Sequence, residues 1–225
     1  MSSAEPGRPL TARWLADNGV SPQLASQYVR NGWLERLGRG FFVRKGDSPT
    51  LERSLAVGMS GGHVGGKTAL AWHGHRHNLY FEERVLVYSH SGARLAPWLS
   101  ERFPVEARNR KLFGQGDKAG VEARSDGVPV SEPERAVLEM LSEVPSRQSM
   151  EEAENLVDML YGLRPPLMQE MLEDCLSVKA VRLFLTMARK SSLPVLDGMD
   201  LGEVRLGAEA DYVVRTPEGA VRLKR

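Results

Sequence analysis

The stretch SPQLASQYVRNGWLERLGRGFFVRKG, residues 21–46, decides the fold of the N-terminal part of this chain. Ser21 and Pro22 are typical of a helix start. The serine hydroxyl can accept a hydrogen bond from a free amide of the first turn, and proline fits there because an N–H at that position would have no partner in the helix. The helix is expected to end at Gly32. Two β-prone runs then flank residues 38–40, Gly-Arg-Gly, and this spacing predicts a tight hairpin.

A shorter helix is predicted before this stretch. In LTARWLADNG, residues 10–19, Leu10, Trp14 and Leu15 recur at helical spacing and Gly19 ends the pattern. Two helices joined by a glycine-containing turn and followed by a basic hairpin are the components of a winged helix-turn-helix. We therefore predict a DNA-binding unit of this kind at residues 1–48.

The second helix carries a polar face suited to a DNA groove. Residues 21–31 contain no carboxylate that would repel phosphate. Amide side chains pair with adenine edges, and arginines pair with guanine or reach phosphates. A solvated face of a small protein-binding domain is the alternative, and Arg36 can instead pair with Glu35 or Asp47. The predicted DNA contacts of helix and hairpin are Gln23, Ser26, Gln27, Arg30, Arg36, Arg39 and Arg44.

The charge of the chain is unevenly distributed. Its 225 residues are 41% hydrophobic and 26% charged with a net charge of +1, which is typical of a globular protein. By region, the net charge is +3 over residues 1–48, +3 over 49–130 and −5 over 131–225. The neutral total therefore conceals a basic part and an acidic part. We expect the basic middle stretch to extend the DNA-binding surface.

The remainder is predicted to form one domain at residues 50–225. Helices are expected near 50–58, 67–74 and 95–102, with strands between them, and residues 131–190 are expected to be helical. Capping boxes are predicted at residues 131–134 and 149–152, and a buried central helix at 178–188. The acidic helices at 132–174 are interpreted as solvated faces. The predicted fold class is α+β, a winged helix-turn-helix followed by a mixed α/β and helical C-terminal domain.

Residues 61–68, GGHVGGKT, match the phosphate-loop pattern, in which Lys67 and Thr68 would hold phosphate and magnesium. That pattern requires a buried strand before the loop, and the preceding LAVGMS contains Gly58. The second interpretation is a strand HVGG that turns into a packed helix. A P-loop nucleotide-binding enzyme is therefore one alternative function.

The histidines and the cysteine give two further alternatives. His73, His75 and His77 alternate, and on a strand their imidazoles would share one face and suit zinc. At a helix end, the imidazoles would instead diverge and cap carbonyl groups beside Trp72. Cys175, the single cysteine, lies on an apolar stripe and is predicted to be core. We predict no cofactor and no metal. The histidines concerned are His63, His73, His75, His77 and His90.

Other features exclude whole classes of protein. No apolar run approaches the roughly 20 residues of a membrane span, and MSSAEPGRPL has no apolar signal core. A reducing cytoplasm without membrane contact is expected. There is no paired aspartate on an apolar strand of the kind that a nucleotidyltransferase requires, and no enzyme activity is predicted.

The order of several segments resembles a known family. A winged helix with LASQYVRNGWLERLGRGFFVR precedes HVGGKTALAWHGHRH, VPVSEPERAVLEML, EEAENLVDML and SVKAVRLFL. This order, over residues 10–206, is similar to the AbiEi-type antitoxins of type IV, abortive-infection toxin–antitoxin systems. The HVGG-x-TAL-x-x-HG and S-x-PERA-x-LE-x-L segments are its most specific parts.

The resemblance implies two functions. The winged helix would bind inverted repeats of double-stranded DNA at its own promoter, as two copies, and repress it through the seven residues above. The C-terminal domain would counteract a nucleotidyltransferase-type toxin without a stable complex. A stand-alone winged-helix regulator is one alternative, and an adaptor whose acidic helices grip a basic partner is another.

Overall fold

A computed structural model describes residues 5–76, 84–217 and 219–223. It has the predicted α+β class, with a winged helix-turn-helix followed by a mixed α/β and helical body. We use "body" for all elements from residue 51 onward. Each part has its own apolar core, and the larger core extends from Leu55 to Leu223.

The N-terminal unit is a three-stranded sheet with two helices. Its elements are β1 (Leu10–Thr11), α1 (Ala12–Asp17), α2 (Pro22–Arg30), β2 (Leu34–Gly38) and β3 (Phe41–Arg44). The antiparallel sheet has the order β1-β3-β2, and β2 with β3 forms the wing. Ser21 accepts a hydrogen bond from the Leu24 amide at 3.2 Å, which confirms the predicted helix start. The core residues of this unit are Leu10, Leu15, Val20, Ala25, Leu34 and Phe42.

The first half of the body alternates short strands and helices. These are α3 (Leu51–Gly58), β4 (Met59–Ser60), β5 (His63–Val64), α4 (Gly66–Trp72), β6 (Val85–Ser89), β7 (Arg94–Leu95), α5 (Pro97–Arg102), β8 (Val105–Asn109), β9 (Val121–Ala123) and β10 (Pro129–Ser131). A five-stranded sheet has the order β8-β6-β5-β10-β9, with parallel β6–β8 and β5–β10 pairs. A separate short ladder joins β4 to β7.

Helices dominate the second half of the body. They are α6 (Pro133–Ser142), α7 (Met150–Asp158), α8 (Pro165–Asp174) and α9 (Val178–Lys190), followed by a 3₁₀ turn (Pro194–Gly198) and the hairpin β11 (Tyr212–Thr216) and β12 (Gly219–Leu223). Helix α9 is largely buried, as predicted. The buried guanidinium of Arg182 fastens the C-terminal segment to α9, because it donates to the carbonyl oxygens of Leu206 and Ala210 at 2.7 and 2.8 Å.

The interpretation of α6 as a solvated acidic face is wrong. Glu134 and Glu139 are each 1% exposed and Glu143 is 5% exposed, because arginines from the helix and its neighbours neutralise them. The first predicted capping box is also wrong. Glu132 occupies the N-cap position of α6, and the Ser131 hydroxyl donates instead to Glu139 at 2.9 Å.

The second predicted capping box is present in its serine half. The Ser149 hydroxyl accepts a hydrogen bond from the Glu152 amide at 3.2 Å and caps α7. The Glu152 carboxylate accepts from the Gln148 side chain at 2.8 Å. The start of α7 is therefore correctly predicted from the sequence.

One carboxylate joins four elements of the body in what we call the α6 ionic cluster. Glu139 accepts hydrogen bonds from the Gly66 amide at 2.9 Å, from Ser131 at 2.9 Å and from Arg135 Nε at 2.8 Å. His63 Nε2 lies 2.8 Å from Glu139 Oε1. Burial alone would raise the pKa of Glu139, but His63 and then Arg135 outweigh it and lower that pKa to about 2.

We expect Glu139→Gln to lower the free energy of unfolding at pH 7 by about 3–5 kcal/mol, because the buried Arg135 loses its counter-charge. The folded pKa of about 2 lies below the ordinary value of 4.5. The stabilisation by the charged carboxylate is therefore lost as pH falls from 4.5 toward 2, and wild type and variant should converge there.

Urea denaturation across this pH range measures the effect. The control is Glu170→Gln on the exposed side of α8, which should change the unfolding free energy by less than about 0.5 kcal/mol. Equal stabilities of the two variants at pH 7 would show that the α6 ionic cluster does not hold the body together.

Candidate nucleic-acid interface

Helix α2 presents three of the predicted contacts on one exposed face. Gln23, Gln27 and Arg30 follow one another at helical spacing, and all three are exposed. The opposite face contains the buried Ala25 and packs on the small core. The first turn has no acidic residue, so nothing on this face opposes a phosphate.

Ser26 and Arg44 already have partners within the unit. The Ser26 hydroxyl donates to the Pro22 carbonyl at 2.9 Å. Arg44 Nε donates to Asp47 at 3.1 Å, and its side chain is 28% exposed. The Gly7 amide donates to the same carboxylate and, with Arg44, holds the pKa of Asp47 below its ordinary value.

The wing carries Arg36 and Arg39, and both are exposed. The Arg36 guanidinium lies 5.1 Å from the ring centroid of Phe42, so its stem and head are held on the wing surface. Arg39 occupies the turn, where Gly40 takes a positive φ of 82°. The hairpin therefore carries two exposed cations, Arg39 in its turn and Arg36 along β2.

The turn end of the wing, where Gly38 pairs with Phe41, is packed against the body. Trp98 on α5 is 4% exposed, and its ring centroid lies 5.4 Å from that of Phe41. A Cβ added to Gly38 would lie 2.9 Å from Trp98 Cδ1. From the sequence, Gly38 was predicted only to be part of a turn. Its contact with Trp98 could not be predicted, because the two residues are sixty positions apart.

The segment that matches the phosphate-loop pattern binds a carboxylate of the protein itself. Strand β5 ends at Val64, and the Gly66 amide that begins α4 donates to Glu139. A side chain at Gly65 would collide with the same carboxylate. Glu139 thus lies against the backbone amide that a phosphate would use in a P-loop.

Lys67 and Thr68, which would hold phosphate and magnesium in a P-loop, contact other groups of the protein. Lys67 Nζ lies 3.6 Å from the Glu152 carboxylate on α7. Thr68 Oγ1 accepts from the Leu86 amide at 3.1 Å and so joins α4 to β6. This geometry agrees with the interpretation of HVGG as a strand that turns into a packed helix.

The histidines are dispersed. His63 is buried in the α6 ionic cluster, whereas His73 Nε2 lies 2.9 Å from the Ser131 carbonyl oxygen. Burial and then His73 lower the pKa of His75. His77 lies outside the described residues. Within the described part of the chain, no group of three or more His, Cys, Asp or Glu side chains is arranged so that it could hold a metal ion.

Part of the basic excess of the middle stretch is neutralised inside the body. Arg108 is 7% exposed, and its Nε donates to Glu143 at 3.1 Å. The same guanidinium also pairs with Glu106, whose carboxylate lies 3.5 Å from Arg84. The expectation that this excess extends the DNA-binding surface is therefore wrong for Arg108, which is internal.

The helix-turn-helix with its basic wing defines a transcriptional regulator of the winged-helix class. A family model described as "Transcriptional regulator, AbiEi antitoxin N-terminal domain" matches residues 1–81. A second, described as "Transcriptional regulator, AbiEi antitoxin, Type IV TA system", matches residues 82–223. The chain belongs to the AbiEi antitoxin family of type IV toxin–antitoxin systems, which confirms the resemblance seen in its sequence.

A solved structure has a similar fold. The crystal structure of the RV2827C protein from Mycobacterium tuberculosis matches 94% of this chain and 84% of its own, with 18% sequence identity and a TM-score of 0.53. At this identity the likeness concerns the fold alone. The search of curated proteins gave no match. Among the described residues, no helix is both long and apolar enough to span a bilayer.

We expect Gly38→Ala to lower the free energy of unfolding by about 1–3 kcal/mol, because the new methyl group must displace Trp98 or the wing strand. Thermal or urea denaturation measures this change. Gly162→Ala is the matched control, since a Cβ there meets nothing within 4 Å. If both variants unfold like the wild type, the wing is not fixed by Trp98.

Proposed function

We propose that this chain is a DNA-binding repressor of its own promoter and an antitoxin. Residues 1–48 would bind DNA, and residues 50–225 would counteract a nucleotidyltransferase-type toxin. The observation that carries the proposal is the exposed, carboxylate-free face of α2 beside a wing with two exposed arginines. The family descriptions, which give a transcriptional regulator and an antitoxin of a type IV system, support both halves.

In this proposal α2 enters the major groove. Gln23 and Gln27 lie one turn apart, so each amide meets a successive base edge, and adenine is the base that pairs best with an amide. Arg30 reaches guanine or phosphate, and Arg39 reaches phosphate or the adjoining minor groove. Ser26 and Arg44 would contribute only after exchanging their present partners.

Two copies of the chain would occupy the two halves of an inverted repeat. A two-fold symmetric site matches two identical winged helices. The spacing of its half-sites follows from the distance between the two copies of α2, which we call the reading helix. The net charge of +3 on residues 1–48 makes the association dependent on salt. A stand-alone regulator would share this DNA binding and lack the antitoxin activity.

We expect Gln27→Ala to lower affinity for the natural upstream DNA by about 1–3 kcal/mol and to relax preference at one base position. Arg39→Ala should weaken binding to all sequences alike and reduce the salt slope by about 1. Fluorescence anisotropy at several salt concentrations separates the two effects. Arg215→Ala, an exposed arginine of the terminal hairpin, should bind as the wild type does. Unchanged binding by both test variants would refute these contacts.

Repression and antitoxin activity should be separable. Arg39→Ala leaves the body intact, so full-length variant should still protect cells that co-express a neighbouring nucleotidyltransferase gene, while a promoter–reporter fusion becomes derepressed. Growth and reporter signal are measured in the same strains. Loss of protection by a stable Arg39→Ala protein would contradict the division of labour, and stable co-purification of the two proteins would contradict the absence of a complex.

A further inference from the structure

A cavity lined by basic side chains lies on the body. Its lining residues come from a different part of the sequence than the candidate nucleic-acid interface. It forms where the chain leaves β8, where α6 ends, and where α9 begins. Its volume is about 330 Å³, at the lower end of the size of small-molecule sites. Its lining residues are Arg110, Ser142, Glu143, Ser146, Arg147 and Lys179.

The only carboxylate in this lining is shared between two arginines. Glu143 Oε1 lies 3.2 Å from Arg110 Nη1, and Glu143 Oε2 accepts from Arg108 Nε at 3.1 Å. Glu143 is 5% exposed, so its charge is directed at these two groups and not into the cavity. Arg110 remains 46% exposed and keeps further N–H donors for a ligand.

Neither of the other two cations forms a direct ion pair among the described residues, although the charge of Glu143 acts on Lys179. Lys179 Nζ donates to the carbonyl oxygens of Ser142, at 2.8 Å, and of Val144, which are neutral groups. Among the described residues, the exposed Arg147 side chain has no hydrogen bond and no ion pair. Three cations against one carboxylate leave the lining with two positive charges in excess.

Lys179 lies between the start of α9 and the end of α6, whose carbonyl oxygens hold its ammonium group. It lies in the first turn of α9, where a cation opposes the helix dipole. Burial and then the charge of Arg110 lower the pKa of Lys179. Hydrogen bonds to the end of α6 account for Lys179 but not for Arg147, which adds a third cation to the same cavity.

We propose that this cavity binds a doubly charged phosphate group, either inorganic hydrogen phosphate or the terminal phosphate monoester of a small molecule. Two negative charges match the excess on the lining. Planar guanidinium groups at Arg110 and Arg147 suit the tetrahedral oxygens, and the exposed Ser146 hydroxyl supplies a neutral donor. A small concave cavity favours a compact anion over the extended backbone of a duplex.

The test uses isothermal titration of the full-length protein with inorganic phosphate and, separately, with adenosine 5′-monophosphate, at constant ionic strength in chloride. We expect one site per chain, and Arg147→Ala should weaken binding roughly tenfold or more. Arg147→Lys should restore part of the affinity. Arg189→Ala, an exposed arginine at the other end of α9, is the matched control and should bind as the wild type does.

The outcomes distinguish the sources of the phosphate. Equal affinity for both probes supports a site for the phosphate group alone, and tighter binding of the nucleotide supports a phosphorylated small molecule. Absence of saturable binding to either probe, or unchanged affinity in Arg147→Ala, overturns the proposal. Weaker DNA binding by Arg147→Ala without binding of either probe also overturns it and assigns these cations to a phosphodiester. None of these results depends on the contacts proposed for the reading helix.

Discussion

The carboxylate of Glu139 is the constraint on which the body of this protein depends. It lies at 1% exposure and is held by β5, by the first residue of α4, by the end of β10 and by its own helix. A buried charge is tolerated only when its partners are all in place. The strand order around β5 and β10 and the close approach of α4 to α6 are therefore parts of one arrangement.

The wing shares in this arrangement although the N-terminal unit has a core of its own. Trp98 belongs to the large core of the body and at the same time packs under Phe41 and Gly38. The orientation of Arg39 is thus set partly by residues outside the helix-turn-helix. In this chain the body therefore supports the surface that we propose to bind DNA.

Local signals were enough to predict the cap and the exposed face of α2, the wing and the buried helix α9, because each depends on neighbouring residues. The burial of α6 was beyond such signals. Glu134, Arg135 and Glu139 are residue types common on solvated helix faces. The partners His63 and Gly66 of Glu139 lie some seventy positions earlier, and the partner Arg164 of Glu134 lies thirty positions later. Pairing between distant charges leaves no periodic pattern, so only the i, i+4 spacing of Arg135 and Glu139 hinted at it.

The crowding of Gly65 against Glu139 has a consequence for how such sequences diverge. A side chain at this glycine would collide with the carboxylate, so the residue is constrained for as long as the glutamate is present. A lineage that replaced Glu139 with a smaller apolar residue would relieve this collision, would leave Tyr88 as the remaining close contact of Gly65, and would remove the need for His63. Substitutions in the HVGG and PERA segments should accordingly arise together, as correlated changes between two segments far apart in the chain.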